Sequence, residues 1–277
     1  MKYIGAHITK DVSILKTIQN IHNNEGNSIQ IFVSSPMNSS LPNKQKINEE
    51  SKKVIEFCNT YNFKLVVHSS YVINLASAHI NKRSVNIEDR WWIKLLIAEL
   101  DACELLNAIG VIVHVGKYTT FTYEEGLDNM YLSIKYIISY LIDNNYKSKL
   151  IIENPAGVGT ELLKTPQDFC KFYNKFTNKD KKHLSICIDT AHIWSSGFDI
   201  MEYYKNFSEL NNVIIIHLNN SKVAKGALLD RHEYLFEGKI NINDLKTFIS
   251  KMKECVIILE KPTNKYSSEF EWIKKII

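Results

Sequence analysis

The sequence lacks a pattern of cysteines that would cross-link the chain through disulfides. Its 277 residues include five cysteines, an odd number, and no two of them form a Cys-x-x-Cys pair. This pattern argues against a disulfide framework, which uses cysteines in even numbers and regular spacings. We therefore expect a chain that works in a reducing, intracellular compartment.

Long apolar runs are missing as well. No stretch approaches the ~18 apolar residues that a membrane span needs, and His7, Lys10 and Asp11 interrupt the start of the chain before a signal-peptide core could form. The net charge of +4 is small, so it permits a nucleic-acid partner without arguing for one. We expect a soluble protein with no membrane partner.

What the sequence does have is a regular alternation of short apolar runs and longer amphipathic segments. The composition, 45% hydrophobic and 23% charged, is that of a globular protein, and no linker or low-complexity tract divides the chain. Eight strand–helix units predict a single-domain (β/α)₈ TIM barrel, of the α/β class, over residues 1–277. The predicted strands are Tyr3–Ile8, Ile29–Val33, Leu65–Val67, Val111–Val113, Leu150–Ile152, Leu184–Ile188, Val213–Ile216 and Val256–Leu259. The predicted helices cover residues 12–23, 48–60, 87–108, 122–142, 166–176, 200–206, 242–252 and 269–276.

Six consecutive predicted strands end on a His, Asp or Glu residue. In such a barrel the carboxyl ends of the strands meet at one mouth, where these enzymes keep their active sites. Residues two apart in a strand share a face, so these side chains can all stand over one packed interior. The six residues are His68, His114, Glu153, Asp189, His217 and Glu260.

Three further candidates lie in predicted loops. His192 follows Asp189 by three residues, and Asp230 and His232 stand two apart in an extended segment, where they would point the same way. Five imidazoles and four carboxylates are too many for one tetrahedral ion and suit about three. Mixed nitrogen and oxygen ligands favour zinc, with manganese or iron as alternatives.

Each of these residues also has an ordinary explanation. A single histidine at a strand end is usually a hydrogen-bonded core or surface residue, and a single carboxylate there is usually a helix cap or an ion-pair member. Six strand ends in succession make a metal site the better interpretation. His7 closes the first strand, and we expect it to hold a metal ligand or a phosphate in place.

Six segments resemble the endonuclease IV family, the apurinic/apyrimidinic (AP) endonucleases of base-excision repair. The resemblance follows the family's order from residue 3 to about residue 262, and all nine proposed ligands fall on positions that are ligands in the family. The segments are GAH (Gly5–His7), HSSYVINLA (His68–Ala76), IIENPAG (Ile151–Gly157), CIDTAHIWSSGFD (Cys187–Asp199), HLNNSK (His217–Lys222) and DRHEYLFEGKI (Asp230–Ile240).

The resemblance implies three zinc ions, with manganese as an alternative at one site. It also divides the ligands: His68, His114 and a bridging Glu153 for the first ion; Asp189, His217 and Glu260, with Glu153, for the second; and His192, Asp230 and His232 for the third.

The reaction implied by the resemblance is hydrolysis of the phosphodiester 5′ to an abasic site in duplex DNA, leaving a 3′-hydroxyl and a 5′-deoxyribose phosphate. Zinc lowers the pKa of bound water towards ~7 and neutralises charge on the phosphate and the leaving oxygen. Glu260 would orient the attacking hydroxide and Glu153 would bridge two ions, so both are predicted catalytic residues. No Ser-His-Asp set is evident, and this chemistry needs none.

Three residues are predicted to contact DNA. Tyr71 and Val72 match family positions that insert into the duplex in place of the extruded nucleotide, and Arg231 could contact phosphate. Two positions depart from the family. Met37 stands where many relatives carry an arginine that probes DNA, and Asn220 stands where an aspartate is usual, so we expect a weaker hydrogen bond to a ligand histidine.

Two other functions stay open from the sequence. Metal-dependent sugar isomerases and epimerases of the same barrel type also end strands in Glu, Asp and His, but they use one or two metals and a Lys or Glu acid/base. The third set of ligands and the lack of a strand-ending lysine argue against them. A non-catalytic DNA-damage-binding protein would be favoured by a missing ligand, and none is missing. We expect a monomer that acts on duplex DNA containing abasic sites.

Overall fold

Eight parallel strands close into one barrel in the computed structural model, which describes residues 3–9, 13–77, 86–252, 254–261 and 266–277. The described strands are β1 (Tyr3–His7), β2 (Ser28–Phe32), β3 (Lys64–His68), β4 (Gly110–His114), β5 (Lys149–Glu153), β6 (Leu184–Asp189), β7 (Val213–His217), β8 (Asn220–Ser221), β9 (His232–Glu233) and β10 (Val256–Leu259). The barrel order is β1-β10-β7-β6-β5-β4-β3-β2, so the first and last of the barrel strands pair, and the short antiparallel pair of β8 and β9 stands apart. The predicted (β/α)₈ barrel is confirmed.

The barrel interior is a small apolar cluster separate from the larger core under the helices. Most of its members stand two residues before the predicted strand-end ligands, because side chains two apart in a strand share a face. The predicted inward-facing positions are confirmed by this packing, which forms a solid floor for the carboxyl-end mouth. The cluster consists of Val66, Ile112, Ile151, Cys187, Ile215, Val256 and Ile258.

The helices follow the predicted alternation with two differences. A 3₁₀ turn at Ile87–Asp89 precedes the helix that was predicted over residues 87–108, and the segment carrying His192 is a short helix and not a loop. That helix forms because the Asp189 side chain accepts a hydrogen bond from the His192 backbone N–H at 2.9 Å, as an N-cap does. The predicted first helix began at residue 12, which lies outside the described residues. The helices are α1 (Ile14–Asn23), α2 (Lys44–Thr60), α3 (Trp91–Leu105), α4 (Tyr123–Asp143), α5 (Pro166–Tyr173), α6 (Thr190–Ser195), α7 (Ile200–Asn206), α8 (Ile242–Lys251) and α9 (Ser267–Lys274).

None of the described helices combines the length and the apolar character that a membrane crossing would require. The longest, α4, carries its buried residues on one side and is amphipathic, as a barrel helix should be.

The start of α4 is fixed by a reciprocal cap. Thr122 accepts a hydrogen bond from the Glu125 backbone N–H, and the Glu125 carboxylate accepts one from the Thr122 backbone N–H at 2.8 Å. We expect Thr122→Ala to lower the free energy of unfolding by about 1 kcal/mol, because this replacement removes the cap from an exposed helix start. Urea denaturation would measure the change. Thr120→Ala, at an exposed position two residues earlier, is the control, and equal midpoints for the two variants would contradict the prediction.

Candidate metal centre

All nine predicted ligands meet at the carboxyl-end mouth of the barrel. Within each of three groups the potential ligand atoms lie within 4.8 Å of one another. Asp230 joins the last group through contacts with both of its histidines. The groups are His68, His114 and Glu153; Glu153, Asp189, His217 and Glu260; and Asp189, His192 and His232.

The first group is built on the buried Glu153 at the end of β5. Its Oε2 atom lies 3.5 Å from His68 Nε2 and 3.3 Å from His114 Nε2. Two ligands of one tetrahedral zinc, each at about 2.05 Å from the ion, stand about 3.3 Å apart, so this spacing fits shared coordination. Oε2 is buried and has no hydrogen-bond partner among the described residues, which leaves a lone pair aimed at the two imidazoles.

The second group surrounds His217 at the end of β7. His217 Nδ1 lies 2.8 Å from Glu153 Oε1, 3.2 Å from Glu260 Oε2 and 3.9 Å from Asp189 Oδ2. Glu153 therefore contributes one oxygen to each of the first two groups, as a bridging carboxylate does. Cys187 also lies close to Glu153 and His217, but burial raises its thiol pKa well above the ordinary value, so it packs as a neutral side chain.

The third group lies between α6 and the short strand β9. His232 Nε2 is 3.0 Å from Asp230 Oδ1 and 3.4 Å from Asp189 Oδ2, and His192 Nε2 is 3.3 Å from Asp230 Oδ2. The resemblance assigned Asp189 to the inner pair of ions alone. In the structure its two oxygens have separate positions, because Oδ1 caps α6 while Oδ2 lies close to both the second and the third group.

Hydrogen bonds to the far side of each ring fix which nitrogen faces the centre. The Nδ1 atoms of His68, His192 and His232 lie 2.8–3.0 Å from the backbone carbonyl oxygens of Ser69, Asn154 and Glu260. A carbonyl can only accept, so each Nδ1 carries a hydrogen, and each Nε2 is the nitrogen that would present its lone pair to a metal ion once it gives up any proton it carries. The Nε2 atoms of His192 and His232 are buried without a hydrogen-bond partner in the described part of the chain. Buried lone pairs that converge in this way suit a metal ion.

Sequence reasoning missed three amides that hold the ligands in place. Gln30, in the middle of β2, accepts from His217 Nε2–H at 2.8 Å and donates to Glu260 Oε1 at 2.7 Å. Asn219 donates to Asp189 Oδ2 at 2.6 Å and accepts from the Glu260 backbone N–H at 2.8 Å. Asn154 accepts from the Asp189 backbone N–H at 2.7 Å. The two asparagines lie just after strand ends, and this position could have identified them from the sequence. Gln30 lies inside a strand, and nothing in its local sequence marks it.

His7 and Asn220 were both expected to support the ligands, but only His7 contacts one of them. His7 does contact a ligand, since its Nδ1 lies 3.1 Å from Glu260 Oε1. The expected hydrogen bond from Asn220 to a ligand histidine is wrong. The Asn220 amide instead donates to the carbonyls of Leu235 and Ile240 and accepts from the Ile240 backbone N–H, so it anchors the loop after β9.

Burial and neighbouring charges shift the pKa values of several side chains in the centre. Burial raises the pKa of Glu153, but the His217 and His114 imidazoles lower it by more, so this carboxylate stays ionised. Burial lowers the pKa of His217 and His232, yet the surrounding carboxylates raise these values to about 9 and about 10. His114 has fewer carboxylates nearby, and burial lowers its pKa to about 4. In the metal-free chain, protonated imidazoles therefore offset much of the carboxylate charge, and divalent cations bound here would take the place of those protons.

The three predicted DNA contacts line one side of this mouth. Tyr71, Val72 and Arg231 border a cavity of about 490 Å³ that also includes His114 and Asp230. The Tyr71 side chain is 51% exposed, and its ring packs edge-on against those of His68 and His114 at centroid distances of 5.3 and 5.7 Å. Arg231 is exposed and donates to the Asp230 carbonyl at 2.6 Å. These residues are therefore placed beside the candidate metal ligands.

Fold and site together define a (β/α)₈ barrel whose strand ends form a candidate metal centre with several overlapping sites. A family model described as Xylose isomerase-like TIM barrel matches residues 19–276. A probable endonuclease 4 of Persephonella marina is 31% identical over 95% of this chain and 92% of the relative, and a putative endonuclease 4 of Acanthamoeba polyphaga mimivirus is 28% identical over 96% and 87%. The chain belongs to the endonuclease IV family of these barrels, as the sequence motifs predicted.

Solved structures share the fold more widely than the family. Endonuclease IV from Thermus thermophilus superposes with a TM-score of 0.75 at 21% identity, covering 99% of each chain. A D-tagatose 3-epimerase-like protein superposes nearly as well, with a TM-score of 0.73 at 19% identity over 99% of this chain and 96% of its own. The barrel alone therefore does not separate nucleases from epimerases, and the site residues have to do so.

Proposed function

We propose that this protein is a zinc-dependent AP endonuclease that hydrolyses the phosphodiester 5′ to an abasic site in duplex DNA. The observation that carries the proposal is the third ligand group, in which Asp230 stands 3.3 Å from His192 and 3.0 Å from His232. One or two ions suffice for a sugar isomerase or epimerase, and these would leave that group unexplained. The relatives named endonuclease 4 support the same choice.

The donor set fits three zinc ions, with manganese as an alternative at one of them. Five imidazoles and four carboxylates give the mixed nitrogen and oxygen ligation that zinc accepts. Zinc bound here would polarise the phosphodiester and make a water molecule nucleophilic at neutral pH. The ligands would be divided as the three groups suggest, with Glu153 and Asp189 each contacting two groups.

Glu260 is the residue we assign to orient the attacking water. It is 12% exposed, so its carboxylate borders the mouth, and three side chains hold it: Gln30 and Asn219 donate hydrogen bonds to it, and His7 lies within hydrogen-bonding distance. These contacts restrict the orientation of the carboxylate, which is the preorganisation that catalysis needs. Glu153 would keep two ions at a fixed separation.

The rim residues would recognise the lesion. Tyr71 and Val72 can occupy the space that an extruded abasic nucleotide vacates, and unstacking costs least where the base is already missing. Arg231 is exposed on the same cavity and can contact a phosphate without giving up a buried ion pair. We assign duplex DNA as the substrate and a monomer as the acting species.

Incision of a duplex carrying one tetrahydrofuran abasic analogue is the direct test, together with elemental analysis of protein never exposed to chelator. We expect a single cut 5′ to the analogue and about three zinc ions per chain. Intact DNA with robust epimerisation or isomerisation of a sugar would move the assignment to the rival enzyme class. Tight binding to the lesion without incision, at full zinc content, would instead indicate a DNA-damage-binding protein.

Gln30 offers a more selective test of the centre. Gln30→Leu removes the acceptor that keeps the hydrogen on His217 Nε2, so we expect zinc affinity to fall by roughly 10- to 100-fold. Competition with a fluorescent zinc chelator would measure the change. Gln45→Leu, which replaces an exposed glutamine on α2, should leave zinc affinity unaltered. Equal affinities for the two variants would show that Gln30 is not needed to orient His217.

A further inference from the structure

A carboxylate outside the metal centre stands out by its burial. Glu99 lies on α3, is fully buried, and is surrounded on its own helix by buried Leu95, Leu96 and Cys103. Its Oε1 atom accepts a hydrogen bond of 3.0 Å from the Ser70 backbone N–H and a second one from the Ser34 hydroxyl. The side chain thus reaches from a helix to two different loops.

This arrangement is costly and needs a reason. Burial raises the pKa of Glu99 to about 7, even though the hydrogen bonds from Ser34 and Ser70 act in the opposite direction. No lysine or arginine forms an ion pair with it in the described parts of the chain, and its Oε2 atom is buried there with no hydrogen-bond partner. The benefit must come from the loops that it holds.

The two loops form one unit, which we call the paired loops and define as residues 33–40 and 69–74. The Ser70 hydroxyl lies 3.1 Å from the carbonyl oxygens of Pro36 and Asn38, and the Tyr71 backbone N–H donates to the Pro36 carbonyl at 2.9 Å. Together the paired loops present two exposed large hydrophobic side chains, Met37 at 73% exposure and Tyr71 at 51%. Glu99 binds the first loop at Ser34, three residues before Met37. It binds the second loop at Ser70, directly before Tyr71.

We propose that Glu99 is a positioning residue that holds the paired loops in the form that recognises an abasic site, so that Met37 and Tyr71 enter the DNA together. The inference rests on the proposed function and adds a residue that does not touch the DNA. Loops fixed before binding lose less conformational entropy when they insert, so the effect falls on affinity for the lesion and not on the hydrolytic step.

The test compares three variants on the same helix. Glu99→Leu removes both acceptor bonds, whereas Glu99→Gln keeps an oxygen that can accept from Ser34 and Ser70. Glu104→Leu is the matched control, because Glu104 also accepts from backbone N–H groups, those of Lys147 and Ser148, but at the opposite end of the barrel. Ser34→Ala removes one bond without altering α3 and serves if Glu99→Leu does not fold.

We expect Glu99→Leu to raise the KM for the abasic duplex about tenfold, with kcat, zinc content and hydrolysis of bis(p-nitrophenyl) phosphate within about twofold of the unmodified chain. Glu99→Gln should restore most of the KM, and Glu104→Leu should not change it. The fluorescence of 2-aminopurine next to the lesion should report less unstacking in Glu99→Leu.

Two results would overturn the inference. The first is a KM for Glu99→Leu that equals that of Glu104→Leu, since this would leave Glu99 with a structural role only. The second is an equal loss of kcat and of bis(p-nitrophenyl) phosphate hydrolysis, which would place its effect at the metal centre. Failure of the proposed function is a separate result, because the unmodified chain would then fail to incise the abasic duplex at all.

Discussion

Replacement of Glu260 by glutamine is expected to lower the rate of incision at an abasic site by on the order of 10³-fold. The carboxylate accepts hydrogen bonds from Gln30 at Oε1 and from Asn219 at Oε2. A glutamine must place an NH₂ group against one of these two donors, so it loses a hydrogen bond together with its charge. The variant would lose both the group that we propose orients water and one candidate metal ligand.

The expected loss is in kcat, because Glu260 stands at the mouth of the barrel and not on the rim that holds DNA. Single-turnover incision of the tetrahydrofuran duplex would measure it, with a gel-shift assay to confirm that binding is retained. Glu237→Gln, at an exposed glutamate on the loop after β9, is the control and should incise at the normal rate. A Glu260→Gln protein that incises within about tenfold of the unmodified rate would remove Glu260 from the catalytic assignment.

Removal of the metal should have the second large effect. Each ion that binds only the folded chain stabilises it, by about 4 kcal/mol when free zinc is about 1,000 times the dissociation constant of its site. For a chain of this size, the loss of one such ion corresponds to a fall in Tm of about 10 °C, so we expect exhaustive treatment with EDTA to lower Tm by at least this amount. Incision should stop at the same time. Zinc should restore both properties, whereas magnesium should not, because magnesium prefers oxygen ligands and this centre is rich in imidazoles.

The number of protons released when zinc binds provides an independent measurement of the same metal centre. In the metal-free chain the pKa values of His217 and His232 are raised to about 9 and about 10 by the neighbouring carboxylates, which outweigh the effect of burial. The neighbouring carboxylates also raise the pKa of His192 well above its ordinary value, against the effect of burial. All three rings are therefore protonated at about pH 7.5, and zinc must displace about three protons per chain. Calorimetry in buffers of different ionisation enthalpy would count them. Zinc affinity should rise between about pH 6.5 and about pH 9.

The metal-free chain itself should show the opposite trend. A histidine whose folded-state pKa is raised stabilises the fold fully below its unfolded value near about 6.5, and this contribution disappears as the pH passes the folded value. The Tm of the metal-free protein should therefore decrease from about pH 7 to about pH 10. An apo-protein whose Tm matches that of the zinc form at neutral pH, with fewer than one ion in the untreated sample, would contradict the metal model.

Much of the site could be predicted because a strand places side chains on alternate faces. An apolar residue two positions before each strand-end ligand packs in the barrel interior, so the pattern of a run ending on His, Asp or Glu already identified the mouth. The third group could be expected from Asp230 and His232 standing two apart. These are local signals, and the barrel fold turned them into a cluster.

The amides that hold the ligands could not be found in the same way. Gln30 and His217 are 187 residues apart, and only closure of the barrel brings β2 near β7 through the interior. Asp189 shows a second limit. It was interpreted as a ligand alone, whereas one of its oxygens begins the helix α6 that carries His192. Because a strand-end aspartate fits either a ligand or a helix cap, the sequence pattern did not reveal that Asp189 also begins α6.

The pairing of the first and last strands of the barrel has a consequence for the order in which the candidate site is completed. Glu260 follows β10, and its contacts with His7 and Gln30 cross the seam where the end of the chain meets its beginning. A polypeptide whose synthesis has not yet reached Glu260 has no β10 to place against β1, so it holds the early candidate ligands without the group that we propose orients water. Under our proposal, the ability to incise DNA would therefore arise only when β10 pairs with β1 and closes the barrel.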